Sequence, residues 1–172
     1  MSRQLLFRPE LVHNSVYLAA GVRILGDVTI EEEASVWYNA VVRGELAPIK
    51  IGKRTNIQDG CVLHSDPGYP CLIGSGVTVS HASVVHGATV EDNVTIGIRA
   101  VVMNGAHIGA GSIIGVGAVV TAGTQVPPGS LVLGLPARVK RQLAPEEVER
   151  NRQTAAFYVK EARAFREAAE KT

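Results

Sequence analysis

The sequence is poor in aromatic residues, in cysteine and in net charge, and each shortage argues against a class of protein. Aromatic residues make up only 5% of the 172 residues, whereas glycine occurs 18 times, which favours short strands and tight corners over a core of large rings. Two cysteines, Cys61 and Cys71, are too few to cross-link a small secreted scaffold. A formal net charge of +1 without a basic run argues against nucleic acid as a partner.

The chain also lacks a hydrophobic run long enough to cross a membrane. Residues 1–9 contain no long apolar segment, and nothing downstream approaches the length of a span. We therefore expect no membrane association and a cytoplasmic location. Because 46% of the residues are hydrophobic, the sequence still contains enough apolar material for a substantial core.

What the sequence does contain is a six-residue repeat of aliphatic side chains. Such residues stack on their equivalents one coil away, and no coil can bury its face alone. We therefore predict a parallel β-helix with three hexads per coil, and we expect Cys61, at an inward small-residue position, to be a buried free thiol. The repeat positions are Leu18, Ile24, Ile30, Val36 and Val42, then Ile51, Ile57 and Leu63, then Ile73, Val79 and Val85, then Val90, Ile96, Val102, Ile108, Ile114, Val120, Val126 and Val132.

The six-residue period stops near Pro136, and a helical pattern follows it. Pro145 starts a helix, and the two acidic residues after it suit the positive end of the helix dipole. We predict a β-helix over residues 1–140 and a helix that packs on it over residues 141–172. The side chains expected on the packing face are Val148, Ala155, Val159 and Ala162.

Three of the five histidines have a spacing that points to a metal site. One full coil runs from Leu63 to Val85, so His64 and His86, which follow them, should lie one above the other at the strand spacing of about 4.8 Å. His81 lies one corner away and reaches them only from another subunit, as a threefold trimer would allow. Three neutral imidazoles leave a fourth position for water, as in catalytic zinc sites. His13 and His107 are interpreted as surface residues.

Several segments resemble the γ-class carbonic anhydrase family, and the resemblance covers nearly the whole chain. It implies a left-handed β-helix, a homotrimer, and one divalent metal per subunit interface, with zinc foremost and iron or cobalt as alternatives. His64 and His86 would come from one chain and His81 from its neighbour. The implied activity is reversible hydration of carbon dioxide, a small-molecule substrate, by metal-bound hydroxide. The segments are residues 42–45 (VRGE), 55–60 (TNIQDG), 63–64 (LH) and 81–87 (HASVVHG).

The resemblance also implies roles for five other residues. Arg43 and Asp59 match residues that form an ion pair between subunits and shape the site. Gln58 matches the side chain beside the hydroxide, where its amide orients the nucleophile. Tyr158 aligns with a tyrosine that lines the site. Glu45 stands where the family usually has aspartate, which moves the carboxylate one methylene further out.

Two departures from the family pattern keep other functions open. Leu46 replaces a glutamate, and residues 65–70 replace a long acidic loop that carries a proton shuttle, so we expect slow turnover at best. One alternative is an acyl-CoA thioesterase or acyltransferase on the same fold. The other is a trimeric metal-binding scaffold without catalytic activity.

Overall fold

A computed structural model describes residues 6–169, and in it the chain winds into a coil of short parallel strands followed by one long helix. Residues 1–5 of the predicted span 1–140 and residues 170–172 of the predicted span 141–172 lie outside the described part. A 3-10 turn, Pro9–Leu11, precedes the coil. The elements are β1 Tyr17–Leu18, β2 Arg23–Ile30, β3 Ser35–Val36, β4 Val41–Ile51, β5 Asn56–Ile57, β6 Val62–His64, β7 Cys71–Ile73, β8 Thr78–Val79, β9 Val84–His86, β10 Thr89–Val90, β11 Thr95–Ile96, β12 Val101–Val102, β13 His107–Ile108, β14 Ile113–Ile114, β15 Val119–Val120, β16 Gln125–Val126, β17 Ser130–Gly134, β18 Ala137–Gln142 and α1 Pro145–Ala169.

The strands form three columns around the core. The first column runs β1-β3-β5-β8-β11-β14-β17, and β18 closes it antiparallel to β17. The long strand β4 belongs to both other columns, because its first half pairs with β6 and its second half with β7. Strands β9, β12 and β15 continue the second column, and β10, β13 and β16 continue the third. The predicted parallel β-helix is thereby confirmed.

The core consists of the predicted aliphatic ladder. Every repeat position from Ile30 to Val132 is buried. The prediction is wrong for Leu18, which is 37% exposed, and Ile24 is only partly buried against the core. Leu18 lies in β1, which ends its column, so no further coil of the described part of the chain covers its side chain.

Both cysteines are buried free thiols, as expected for Cys61. Burial raises the pKa of the Cys61 thiol to about 11 and that of Cys71 to about 12. A thiolate is the reactive form of cysteine, so neither residue is poised for chemistry at neutral pH.

The helix α1 packs along the coil, in contact with β1, β3, β5 and β8. Ala155, Val159 and Ala162 are buried as predicted, and Val148 is half-buried. Phe165 contacts the Trp37 ring. Among residues 6–169, no helix combines the length and apolar character that a bilayer span requires.

Asn151 anchors α1 to the coil, a role that the hydrophobic pattern did not predict. Its buried amide nitrogen donates to the backbone carbonyls of Asn93 and Gly111, each at 3.1 Å, and its oxygen accepts from the Thr95 hydroxyl at 2.9 Å. We expect Asn151→Ala to lower the free energy of unfolding by about 1–3 kcal/mol, since these buried groups lose their partner. Urea unfolding measures this, and Arg152→Ala on the exposed side should change it little. Equal losses would contradict the anchoring role.

The first turn of α1 makes the fold sensitive to acid. Three hydrogen bonds, two from the Arg141 guanidinium and one from the Ala144 backbone amide, lower the pKa of Glu147 from 4.5 to about 2. A lowered folded-state pKa adds stability that is complete above pH 4.5 and is lost as pH falls toward 2. The stability difference between wild type and Glu147→Gln, measured by urea unfolding, should therefore disappear across that interval. A difference that persists at the acid end would contradict this.

Candidate functional site

The register of the coil brings His64 and His86 together. Strands β6 and β9 pair so that the two residues lie directly opposite each other. The His64 Nδ1 and His86 Nε2 atoms are 2.9 Å apart, and the ring centroids are separated by 4.8 Å. This is the one-coil stacking that the repeat spacing predicts.

The other nitrogen of each ring faces an oxygen acceptor. His64 Nε2 lies 3.1 Å from Glu45 Oε1, and His86 Nδ1 lies 2.5 Å from Asn104 Oδ1. The Asn104 amide nitrogen donates to Asp66 Oδ2 at 2.7 Å, and this bond orients the amide with its oxygen toward His86. We therefore assign the ring hydrogen to His64 Nε2 and to His86 Nδ1.

This assignment leaves two lone pairs facing each other. In the neutral rings, His64 Nδ1 and His86 Nε2 are both acceptors, and two acceptors 2.9 Å apart repel unless a cation is shared between them. Metal-ligating histidines typically donate their second ring hydrogen to a carboxylate or carbonyl, as both do here. The donor set therefore fits a divalent metal that prefers imidazole.

Glu45 is ionised and only partly satisfied. Burial alone would raise its pKa, but a hydrogen bond from its own backbone amide, the His64 ring and the Arg43 charge hold the pKa below its ordinary value. Arg43 and His64 both bind Oε1, whereas the buried Oε2 has no partner within residues 6–169. Glu45 is one methylene longer than the aspartate usual in the γ-class family, and its carboxylate contacts the ring of His64, a predicted metal ligand.

A second group of side chains surrounds His81, in the turn between β8 and β9. His81 Nδ1 lies 2.7 Å from Asp59 Oδ2, so Nε2 is the nitrogen left for a ligand. The buried Gln58 accepts from the His81 backbone amide at 3.3 Å and donates to Asn56 Oδ1 at 3.0 Å. Gln58 is therefore a buried amide, held in a fixed orientation beside His81.

Tyr158 belongs to the same side of the molecule as His81. Its ring contacts Trp37 edge-on, with centroids 5.5 Å apart. Burial raises the pKa of Tyr158, and the charges of Asp59 and Glu161 raise it further. The tyrosine therefore stays protonated at neutral pH and can act as a hydrogen-bond donor.

Within one chain the two groups do not form a single site. Among the described residues, the three potential ligands that cluster are His64, Asp66 and His86, with ligand atoms within 4.8 Å of one another, and His81 is not among them. Arg43 pairs with Glu45 and Asp59 pairs with His81, so the predicted Arg43–Asp59 pair is not made inside one chain.

The two other histidines lie outside both groups. His13 Nδ1 lies 2.8 Å from the Ser15 hydroxyl. His107 Nε2 lies 2.8 Å from Glu91 Oε1 on the third column of strands.

Sequence reasoning missed Asn104 and Asp66. Coil arithmetic comes within one residue of Asn104, because β9 and β12 pair Val85 with Val102 and so place Met103 opposite His86 and Asn104 directly after it. Asp66 had no periodic signal, since it lies in the loop that interrupts the repeat.

Comparisons with known proteins find relatives over most of the chain. Residues 87–122 match the family model described as bacterial transferase hexapeptide (six repeats). The "Probable carbonic anhydrase" of Methanocaldococcus jannaschii is 53% identical over 87% of this chain and 94% of that protein. A "Carbonic anhydrase" of Geobacillus kaustophilus is 44% identical over 88% and 84% of the two chains. "Gamma carbonic anhydrase 2, mitochondrial" of Arabidopsis thaliana is 36% identical over 88% of this chain and 57% of its own length.

Solved structures identify the coil as the left-handed β-helix of hexapeptide-repeat proteins. A hexapeptide transferase family protein from Anaplasma phagocytophilum has a TM-score of 0.86 at 34% identity, with 90% of this chain and 91% of that chain covered. The N-acyltransferase AntD from Bacillus cereus, crystallised with dTDP and coenzyme A, has a TM-score of 0.63 at 12% identity over 83% and 86% of the two chains, which shows the fold alone. The high sequence identity to these named carbonic anhydrases, over most of the chain, places it among enzymes. The chain belongs to the γ-class carbonic anhydrase family.

Proposed function

We propose that this protein is a homotrimeric carbonic anhydrase that hydrates carbon dioxide reversibly with a divalent metal at each subunit interface. His64 and His86 come from one chain and His81 from its neighbour, and zinc is the first choice of metal, with iron or cobalt as alternatives. One observation carries the proposal. In each of the three imidazoles one nitrogen is already bound to an acceptor, on Glu45, Asn104 or Asp59, so the other is left as a ligand.

The surface around His81 supports a shared site. Ile98 and Val116 continue the same corner one and two coils further on, as shown by the bonds from Arg99 N to His81 O and from Gly117 N to Ile98 O. Their side chains are 43% and 74% exposed. An apolar stripe that continues from a predicted ligand is typical of a surface that another subunit covers.

The chain's own residues would orient the reactants. A divalent cation held by His64, His86 and the neighbour's His81 would lower the pKa of water and so supply a nucleophile near neutral pH. Asp59 holds His81 in one tautomer, and Glu45 does the same for His64. Gln58 uses one amide hydrogen on Asn56 and keeps a second, which we assign to orienting the nucleophile. We assign Arg43 to the interface and Tyr158 to the wall of the site.

Stopped-flow hydration of carbon dioxide tests the proposal. Zinc-loaded protein is expected to exceed the background rate, and a chelator or His81→Ala should return the rate to background. A wild type that is no faster than His81→Ala would refute the enzymatic proposal. If that protein still binds stoichiometric zinc, the result would favour the metal-binding scaffold. Acyl-CoA hydrolysis that persists in the presence of the chelator would favour the alternative that the protein is an acyl-CoA thioesterase or acyltransferase. A cytoplasmic location stays a prediction.

Proton export should limit the rate of carbon dioxide hydration. Leu46 replaces a glutamate of the family, and the loop of residues 65–70 replaces the acidic loop that carries the family's proton shuttle. In that case an external base replaces the missing group. We expect kcat to rise with imidazole buffer concentration while kcat/KM stays constant, as measured by stopped flow at fixed ionic strength and pH. A kcat independent of buffer would show that the chain already exports protons efficiently.

A further inference from the structure

We infer that Asp66 and Asn104 are positioning residues that keep His86 Nε2 free of hydrogen, so that this nitrogen can bind the metal. The inference rests on the proposed metal site and gives the shortened loop after His64 a function. Neither residue needs to touch the metal, because Asn104 binds the opposite nitrogen of the His86 ring and Asp66 binds Asn104. The two residues and the ring form a relay from the loop to the ligand atom.

The Asp66 carboxylate determines which atom donates in each hydrogen bond of the relay. An ionised carboxylate can only accept, so the 2.7 Å contact with Asp66 Oδ2 requires the amide nitrogen of Asn104 as donor. The Asn104 oxygen then faces His86 and accepts the Nδ1 hydrogen at 2.5 Å. A neutral imidazole carries one hydrogen, and its presence on Nδ1 leaves a lone pair on Nε2.

The loop is built to hold Asp66 in place. Asp66 and Tyr69 exchange backbone hydrogen bonds of 3.2 and 2.8 Å around Pro67 and Gly68, and Gly68 has a φ of 80°. Proline followed by glycine with positive φ is the signature of a type II turn. A Cβ at Gly87 would approach Tyr69 Cβ at 2.8 Å, so the glycine that follows His86 lets the loop pack against β9.

Loss of the Asp66 carboxylate has a specific consequence. Without that acceptor, the Asn104 amide can rotate and present its nitrogen to His86. Nδ1 then becomes the acceptor and the hydrogen moves to Nε2, where it blocks metal binding. A merely structural role for the loop predicts no such change of tautomer.

Two measurements on the full-length protein test the relay. After chelation, zinc is titrated back against a competing chelator, and histidine 15N chemical shifts of the metal-free protein report which ring nitrogen carries hydrogen. We expect Asp66→Ala and Asn104→Leu each to weaken zinc binding by about 10–100-fold. Asp66→Ala should also move the His86 hydrogen to Nε2. Far-UV circular dichroism verifies folding, and Asn104→Leu serves as the second variant because it leaves the loop turn intact.

An exchange of the two side chains provides the rescue. In the double variant D66N/N104D, the carboxylate at position 104 accepts from His86 and the amide at position 66 donates to it. Zinc affinity should return to within about threefold of wild type, with hydrogen again on Nδ1. Glu91→Gln is the matched control, because the Glu91–His107 pair has a similar distance of 2.8 Å on another column. It should leave zinc affinity unchanged.

The outcomes separate the relay from the proposed function. If wild type binds no zinc, the metal site itself is refuted, and the metal-free His86 tautomer still decides the relay. Unchanged zinc affinity and tautomer in both single variants would overturn the relay, and so would failure of the double variant to recover while it remains folded.

Discussion

Two inactive variants, His81→Ala and His64→Ala, are expected to regain zinc binding and carbon dioxide hydration when they are co-expressed. Each variant alone lacks one imidazole at every interface. In a closed ring with head-to-tail contacts, every mixed trimer contains one interface that combines an intact His64–His86 pair with an intact His81. Because about three quarters of randomly assembled trimers are mixed, we expect about one quarter of the wild-type zinc content and rate.

A matched mixture controls for nonspecific stabilisation. His64→Ala combined with His86→Ala should regain nothing, because both changes damage the same half of the site, where the two rings are 2.9 Å apart. Metal analysis of the purified trimers and stopped-flow kinetics provide the readouts. Equal recovery in the two mixtures, or no recovery in either, would contradict a site shared between subunits. A monomeric wild type would do the same.

Gly52→Ala should destabilise the coil strongly, because the added methyl group would overlap backbone atoms of the next coil. Gly52 follows the last residue of β4, and a Cβ there would lie 2.5 Å from the backbone carbon of Gly74 in the next coil. Backbone atoms cannot move aside without separating Ile51 from its partner Ile73. We expect a loss of about 3 kcal/mol or more in the free energy of unfolding, measured with urea.

Gly60→Ala separates crowding from backbone strain. Gly60 has a φ of 66°, but a Cβ there meets no atom of the described residues within 4 Å. In Gly60→Ala, only the left-handed backbone conformation of the alanine lowers the free energy of unfolding, by about 1–2 kcal/mol. If the two variants lose equal stability, close approach of the coils is not the reason for glycine at position 52.

The aliphatic repeat predicted most of the fold, because one inward side chain per hexad is a local requirement that every coil must meet. The prediction failed at Leu18, where burial depends on whether another coil follows. It also overlooked Asn151, because the helix periodicity signals apolar packing and contains no information about which backbone carbonyls lie beneath a polar side chain.

The stacking of His64 on His86 was predictable because register along a coil is a matter of counting. The partners that set the ring tautomers were not. Glu45 reaches His64 from a strand in the preceding coil, and Asp66 reaches Asn104 from a loop outside the repeat. Such contacts depend on side-chain rotamers and loop conformation, which spacing does not encode.

The sequence by itself determined the coil, its core and the alignment of two histidines, because all three follow from a fixed number of residues per turn. Only the tertiary structure decided which nitrogen of each ring remains available, since that depends on how side chains from separate coils and loops meet in space.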